Sequence, residues 1–306
     1  MIRNSTSLTG LYTGFKAAFQ GGFDGVKPTY KRVAMIAPST TKTEQYGWLG
    51  TMPNIREWVG DRVVNSLALH NYSITNKTWE FTLGVPVDDI DDDTYGVFGP
   101  LFTEMGRTTA IFPDQLVWPA LRNGHRSLCY DGQNFFDAEH PGIELVTDEE
   151  TGEEIERPVL VSNYGGGTGR FWCLLDTTRA IKPIIFQDRK KFDFVRLDAA
   201  TDENVFNRDE YIYGTKGRSN VGYGFWQLAY GSRQPLTPEA YETARAALLN
   251  MKGDHGQPLG VQPDLLVVAP SDEGAAKKIL INERDANGAS NPWKGTAELM
   301  LSHWFG

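Results

Sequence analysis

Five aspartates lie close together in the first third of the chain, at Asp88, Asp89, Asp91, Asp92 and Asp93. Carboxylates at alternate positions, as in a loop starting at Asp89, are the first ligands of a calcium-binding loop. Such a loop needs glycine at its sixth position and glutamate at its twelfth, where this chain has Thr94 and Pro100. The cluster therefore predicts the acidic first turn of a helix, where carboxylates complement the helix dipole, and no metal site.

A glycine-rich run covers residues 164–170, with the sequence YGGGTGR. Bare backbone amides in such a run can surround an oxyanion, but a nucleotide-binding loop also requires a lysine followed by serine or threonine. This run has no lysine and therefore no such pair, and Arg170 takes the last position of a dinucleotide-binding pattern. It predicts a tightly turning surface loop, and no cofactor is predicted.

Cys129 lies between His125 and His140, which is the one arrangement that suggests nucleophilic catalysis. A cysteine and histidine hydrolase using Cys129 is therefore retained as the alternative function. The serine and zinc hydrolase patterns G-x-S-x-G and H-E-x-x-H are absent from the sequence. Cys129 and the other cysteine, Cys173, form no C-x-x-C pair, so both are expected to be reduced thiols in the cytoplasm.

The 306 residues carry a net charge of −9, with 23% charged residues, which is the composition of a globular protein with a sizeable core. The first 45 residues are the basic part, with six basic against two acidic residues. A molecule this acidic repels a polyanion, which disfavours a second alternative, a nucleic-acid-binding module. The longest apolar run, at 265–270, is far shorter than a membrane span, so no membrane association is expected.

The elements that would position these residues begin with an arm and a hairpin. Phe15, Phe19 and Phe23 are spaced by four, but glycines interrupt the pattern and predict a weakly helical arm that requires a partner surface. Alternating apolar residues then flank a Gly- and Pro-rich bend and predict a long projecting hairpin. Its tip is expected to supply interface anchors, namely Trp48, Leu49, Met52, Arg56 and Trp58.

Further along, apolar residues every three or four positions predict a long helix over 91–121, bent or split at Pro113. The acidic and glycine-rich region 143–169 predicts an exposed loop. A helix is predicted from an N-cap at Thr237 to Gly253, and a buried strand at 265–269 is followed by a short helix capped by Ser271. This mixture of strands and helices indicates the α+β class.

Long and unusual words are spread along the whole chain: FQGGF at 19–23, YGWLG at 46–50, REWVGDR at 56–62, YSITNKTWE at 72–80, residues 88–107, CYDGQNFFD at 129–137 with HP at 140–141, FWCLLD at 171–176, KP at 182–183, GYGFWQLA at 222–229, LLVVAP at 265–270 and NP at 291–292. In these words the chain resembles, almost from end to end, the major head subunits of Mu-like tailed bacteriophages.

This resemblance implies the Hong Kong 97-type capsid fold. Its parts would be an N-terminal arm at 1–37, an extended hairpin loop at 38–75, a peripheral domain and an axial domain. The peripheral domain would comprise 76–127 and 171–232 and contain a spine helix at about 91–121. The axial domain would comprise 128–170 and 233–306.

The resemblance further implies a structural protein without catalysis. Its copies would assemble as pentamers and hexamers into an icosahedral head, in the host cytoplasm, and become part of the virion. Scaffold and portal proteins would be partners, and double-stranded DNA would be enclosed without sequence-specific binding. Interface residues would include the hairpin anchors together with Phe15, Phe19 and Phe23.

Overall fold

The computed structural model describes residues 5–49, 71–92, 96–148, 152, 154–253, 256–285 and 287–306. Six helices and twelve strands in these ranges confirm the α+β class. The helices are α1 Ser5–Asp24, α2 Val87–Asp91, α3 Phe98–Arg122, α4 Glu203–Arg208, α5 Pro238–Leu249 and α6 Glu273–Leu280. The strands are β1 Ala34–Pro38, β2 Thr43–Gln45, β3 Ser73–Thr75, β4 Lys77–Pro86, β5 His140–Thr147, β6 Glu154–Val161, β7 Trp172–Leu175, β8 Ile184–Leu197, β9 Glu210–Tyr223, β10 Ala229–Ser232, β11 Leu265–Val268 and β12 Glu298–Leu301.

The larger sheet has the strand order β1-β8-β9-β4. Its long central strands β8 and β9 are antiparallel, whereas β1 pairs with β8 in parallel, from Ala34 opposite Ile184. Phe194 of β8 and the alternate residues Tyr211 and Tyr213 of β9 pack with α1 and α3 in one apolar cluster. The alternation of strand residues that the sequence shows thus places one face of this sheet under two helices.

Helix α1 runs unbroken over 20 residues and packs along α3, so the expectation of a glycine-broken arm is wrong. Contacts at two glycines, one in each helix, explain why the glycines do not interrupt α1. A Cβ atom on Gly22 would lie 1.9 Å from the backbone oxygen of Thr103, and one on Gly106 would lie 1.9 Å from that of Phe19. Glycine at these two positions lets the helix backbones touch, which compensates for its low helix propensity.

Helix α3 begins at Phe98, seven residues after the predicted start. Asp88 and Asp89 do lie in a first turn, but in the separate five-residue helix α2, and residues 93–95 lie outside the described ranges. The helix continues through Pro113 instead of splitting there. Its first half packs in the cluster under the larger sheet, and its last turns, with Val117, Trp118 and Leu121, enter the main core.

The smaller sheet has the strand order β10-β7-β11-β12 and lies at the centre of the main core. All four residues of β7, β10 and β11 are buried. Strand β7 pairs with both β10 and β11. A boundary between 171–232 and 233–306 would therefore divide a single sheet, because β7 and β10 fall in the first range and β11 in the second.

Three local predictions can be compared with the structure. Thr237 is the N-cap of α5, where its hydroxyl accepts a hydrogen bond from the Ala240 amide at 3.2 Å, as predicted. Asp272, and not Ser271, occupies the N-cap position of α6. The region 143–169 is not simply a loop, because β5 and β6 form an antiparallel hairpin there.

Of the helices in the described ranges, none has the length and hydropathy needed to span a bilayer.

Candidate assembly surfaces

The arm is bound to its own subunit through the phenylalanines that the sequence singled out. Phe15 stacks on Phe102 with ring centroids 4.1 Å apart, and Phe19 lies 5.0 Å from Phe194. Both are buried, whereas Phe23 is 36% exposed. In this conformation Phe15 and Phe19 are therefore covered by α3 and the larger sheet, and Phe23 alone of the three presents a sizeable surface to another subunit.

Asp114 of α3 fixes the point where the arm ends. Its buried carboxylate accepts hydrogen bonds from the amides of Thr29 and Tyr30, at 3.0 and 2.6 Å, and from the Thr29 hydroxyl. Trp118, one turn later, donates its indole N–H to that same hydroxyl at 3.0 Å. Charge-assisted hydrogen bonds to backbone amides are among the stronger ones in proteins. They therefore fix the point at which the arm, after packing along α3, turns away from this helix towards β1.

Strands β2 and β3 pair with each other at the base of the predicted hairpin, whose residues 50–70 lie outside the described ranges. Tyr46 donates its hydroxyl proton to Gln187 Oε1 at 2.8 Å, and the Gln187 amide donates to the carbonyl of Ile74 at 3.1 Å. Tyr72 accepts a hydrogen bond from the Tyr223 amide at 2.7 Å. Because Gln187 and Tyr223 belong to β8 and β9, both sides of the hairpin base are tied to the larger sheet.

Glu44 organises the turn before β2. Its carboxylate accepts hydrogen bonds from the amides of Thr40 and Thr41 and from the Ser39 hydroxyl, all at 2.8 to 2.9 Å. The two amide bonds are the main cause that lowers the pKa of Glu44 to about 2. The turn is therefore held by an ionised carboxylate throughout the neutral range.

Two of the five hairpin anchors belong to the subunit core. Leu49 is completely buried, and the half-buried Trp48 makes edge contacts with Tyr46 and Phe225. Their expected position at the hairpin tip is wrong, because the chain at 46–49 still packs on the core. Met52, Arg56 and Trp58 lie outside the described residues, and their role between subunits stays a prediction.

Exposed apolar side chains mark surfaces that the sequence patterns did not single out. Phe206, on the short helix α4, is 84% exposed, and Leu160 on β6 is 70% exposed. Val195 and Leu197 are exposed on the face of β8 turned away from α1 and α3. Single exposed apolar side chains are common on protein surfaces, but adjacent ones such as Val195 and Leu197 form a patch of the kind that marks interaction sites, so this face of β8 is a candidate for contact with other subunits. The apolar face of β8 was hidden in the sequence because both faces of that strand carry apolar residues.

Cys129, Asp131 and His140 form a cluster, the cysteine cluster, that is not organised as a catalytic dyad. Cys129 donates its S–H to Asp131 Oδ1 at 3.0 Å, and Asp131 Oδ2 lies 2.7 Å from His140 Nδ1. His140 is fully buried, stacks on Trp226 at 3.9 Å and contacts Asn163 through its other ring nitrogen. The carboxylate of Asp131 thus lies between the thiol and the imidazole. The spacing of Cys129 and the histidines in the sequence did not point to Asp131.

Electrostatics oppose a nucleophilic role for Cys129. Burial, followed by the charge of Asp131, raises the pKa of the Cys129 thiol well above its ordinary value, whereas a nucleophilic cysteine needs a lowered pKa. The donor atoms of Cys129, Asp131 and His140 lie within 4.8 Å of one another, close enough to share a metal ion. Each already has a protein partner, so hydrogen bonding alone accounts for the cluster.

The structural comparisons identify the class of protein. A subunit of the procapsid of bacteriophage JBD30 is 42% identical and superposes with a TM-score of 0.84, covering 99% of this chain and 100% of that one. A JBD30 capsid subunit is 30% identical with a TM-score of 0.76, and both chains are covered completely. With the helices and sheets described above, this chain is a major capsid protein of a tailed phage with the Hong Kong 97-type fold.

Sequence comparisons define the family. The model of the Mu-like prophage major head subunit gpT matches residues 8–305. The major capsid protein of Escherichia phage Mu is 38% identical over 99% of this chain and its own full length. The Mu-like prophage FluMu major head subunit of Haemophilus influenzae is 39% identical over 89% of this chain and 88% of its own. The chain belongs to the Mu-like major head subunit family, as the sequence resemblance predicted.

Proposed function

We propose that copies of this chain assemble as pentamers and hexamers into an icosahedral head that encloses double-stranded DNA. The observation that carries the proposal is the similarity to a subunit of the JBD30 procapsid, which is an assembled particle. This similarity extends over nearly the whole of both chains. Assembly would take place in the host cytoplasm, with scaffold and portal proteins as partners. The role is structural, and no step of it requires catalysis.

The division into arm, hairpin loop, peripheral domain and axial domain belongs to the same proposal. Helix α1 and the Asp114 anchor correspond to the arm and its attachment, and β2 and β3 to the base of the hairpin loop. The larger sheet with α3 corresponds to the peripheral domain. Strands β7 and β10 pair with β11 in the smaller sheet, which favours assigning them to the axial domain with α5 and α6.

The charge of the subunit agrees with a container for DNA. With a net charge of −9, the average surface repels DNA and disfavours tight adsorption during packaging. Exposed apolar groups such as Phe206 and Val195 offer surfaces that become favourable to bury when copies meet.

Co-expression of this chain with the head-assembly proteins of its phage tests the proposal. We expect closed, uniform particles by electron microscopy and a fast-sedimenting fraction that contains this chain as the main component. The same chain expressed without those proteins serves as the control for aggregation. Soluble subunits that form no closed particles in the presence of the assembly proteins would contradict the proposal.

A further inference from the structure

A cavity of about 560 Å³ lies at the carboxyl end of α3. It is bounded by residues 122–126, the loop 168–171, residue 233 and residues 305–306. Four arginines line it, namely Arg122, Arg126, Arg170 and Arg233. So many guanidinium groups at one cavity stand out in a chain whose net charge is −9.

Most of this positive charge has no carboxylate partner. Arg170 is paired with Asp272 through bonds of 2.9 and 2.6 Å. The side chains of Arg122 and Arg233 donate only to backbone carbonyls, and the Arg126 side chain has no hydrogen bond or ion pair among the residues that the structure describes. Three guanidinium groups at this cavity are therefore uncompensated by acidic side chains.

His125, between Arg122 and Arg126, responds to that charge. Its Nδ1 lies 3.1 Å from the Arg122 carbonyl oxygen, a bond that favours the protonated ring. Burial and then the charges of Arg126, Arg233 and Arg122 nevertheless lower the pKa of His125. The imidazole stays neutral near pH 7, and the positive potential of the cavity comes from the arginines.

The arginines are also partly arranged in advance. Arg233 is held by the carbonyls of Gly169 and Thr168, at 2.9 and 3.3 Å, and Arg170 is held by Asp272. A guanidinium group has five N–H donors, so Arg233 keeps donors for a ligand after these bonds. Fixed donors lose less conformational entropy on binding than mobile ones.

We propose that this arginine cavity is a phosphate-binding site that contacts the backbone of the enclosed DNA. Guanidinium groups match phosphate oxygens with paired hydrogen bonds, and one phosphate has enough oxygens to engage several arginines at once. Arg122, Arg126 and Arg170 are exposed, so a DNA backbone can reach them without entering the protein. This inference rests on the proposed function, because it takes the DNA to be inside the head.

The test measures the binding of fluorescent duplex DNA to purified full-length subunits by anisotropy over a range of salt concentrations. Arg126→Ala is the variant, because the Arg126 side chain makes no hydrogen bond or ion pair with the described residues that its loss would break. Arg208→Ala, an exposed arginine on α4, removes the same charge elsewhere. Loss of one phosphate contact should weaken binding equally for all DNA sequences and reduce the slope of log affinity against log salt by about 1.

We expect this reduced slope for Arg126→Ala and an unchanged slope for Arg208→Ala. Titration of the subunit with inorganic phosphate by calorimetry distinguishes a site for free phosphate from a site for the DNA backbone. A site for the DNA backbone should bind free phosphate far more weakly than duplex DNA. Equal slopes for both variants would overturn the proposal. So would an Arg126→Ala subunit that binds DNA normally but forms no particles, because the cavity would then receive an acidic segment of another subunit. Particle formation by the unmodified chain is scored separately, so a failure of the proposed function is recognised as such.

Discussion

Gly22 lies where helix α1 touches the backbone of α3, and it has a matched neighbour in Gly21. A Cβ at Gly22 would clash with the backbone of Thr103, whereas one at Gly21 would meet nothing within 4 Å. We expect Gly22→Ala to destabilise the subunit by about 1 to 3 kcal/mol through forced separation of the helices. Gly21→Ala should stabilise it by up to about 1 kcal/mol, because alanine favours the helix. Urea unfolding followed by circular dichroism measures both, and equal effects would show that the helices do not pack as described.

Asp131 is the residue that gives the cysteine cluster its dependence on pH. Burial raises its pKa, but hydrogen bonds from His140 and Cys129 outweigh burial, and the net direction is downward. A lowered folded-state pKa means that the stabilisation is fully present above the unfolded value of about 3.9 and is lost as the pH falls through the folded value. We expect Asp131→Asn to cost about 1.5 to 3 kcal/mol near neutral pH, because buried charged hydrogen bonds are lost.

The pH profile distinguishes this role from simple packing. The difference in unfolding free energy between the unmodified chain and Asp131→Asn should shrink as the pH falls below about 4. Asp193→Asn, at an exposed position on β8, is the control and should change stability by no more than about 0.5 kcal/mol. A difference for Asp131→Asn that stays constant from pH 3 to 7 would count against an ionised carboxylate in the cluster.

At the scale of elements, the hairpin loop separates into a base that belongs to the fold and a part that we expect to serve assembly. Leu49 is completely buried in the base, so Leu49→Ala should lower the free energy of unfolding by about 2 to 5 kcal/mol. Trp58→Ala should leave the subunit as stable as before but reduce the yield of closed particles. Chemical denaturation and particle yield on sedimentation gradients measure the two effects. Unfolded Trp58→Ala subunits, or a normal yield of particles from them, would refute the assignment.

Elements that are determined by neighbouring residues could be predicted from the sequence, whereas elements that depend on distant residues could not. Thr237 and Pro238 predicted the start of α5 because an N-cap acts within one helical turn. Helix α1 was underestimated because its glycines are explained only by the backbone of α3, far away in sequence. Strands β5 and β6 were missed because their register depends on partners across a polar segment. In the cysteine cluster, spacing suggested Cys129 and His140, but the position of Asp131 between them required the fold.

At the scale of the whole molecule, the charge of −9 sets a barrier to bringing copies together. Salt shortens the range of this repulsion, from about 30 Å at 0.01 M to about 10 Å at 0.1 M. We therefore expect particle assembly from purified subunits and scaffold to become faster and to need less protein as salt rises over this range. Light scattering follows the reaction, and subunit unfolding at both salt concentrations is the control for the fold. Slower assembly in higher salt would show that attractive ion pairs outweigh the net repulsion.

The order of the strands also has a consequence for synthesis on the ribosome. Ala34 of β1 pairs with Ile184, so an early strand waits for its neighbour while 150 further residues are translated. At about 5 to 20 residues per second, this wait lasts roughly 8 to 30 seconds. The main core closes later still, because Phe305 is buried against Trp118 and Phe171. A nascent chain therefore cannot complete this core until Phe305 has left the ribosome, and a chain terminated before that residue lacks the side chain that closes the core. Head assembly would then draw on finished chains, with unfinished ones left to chaperones and proteases.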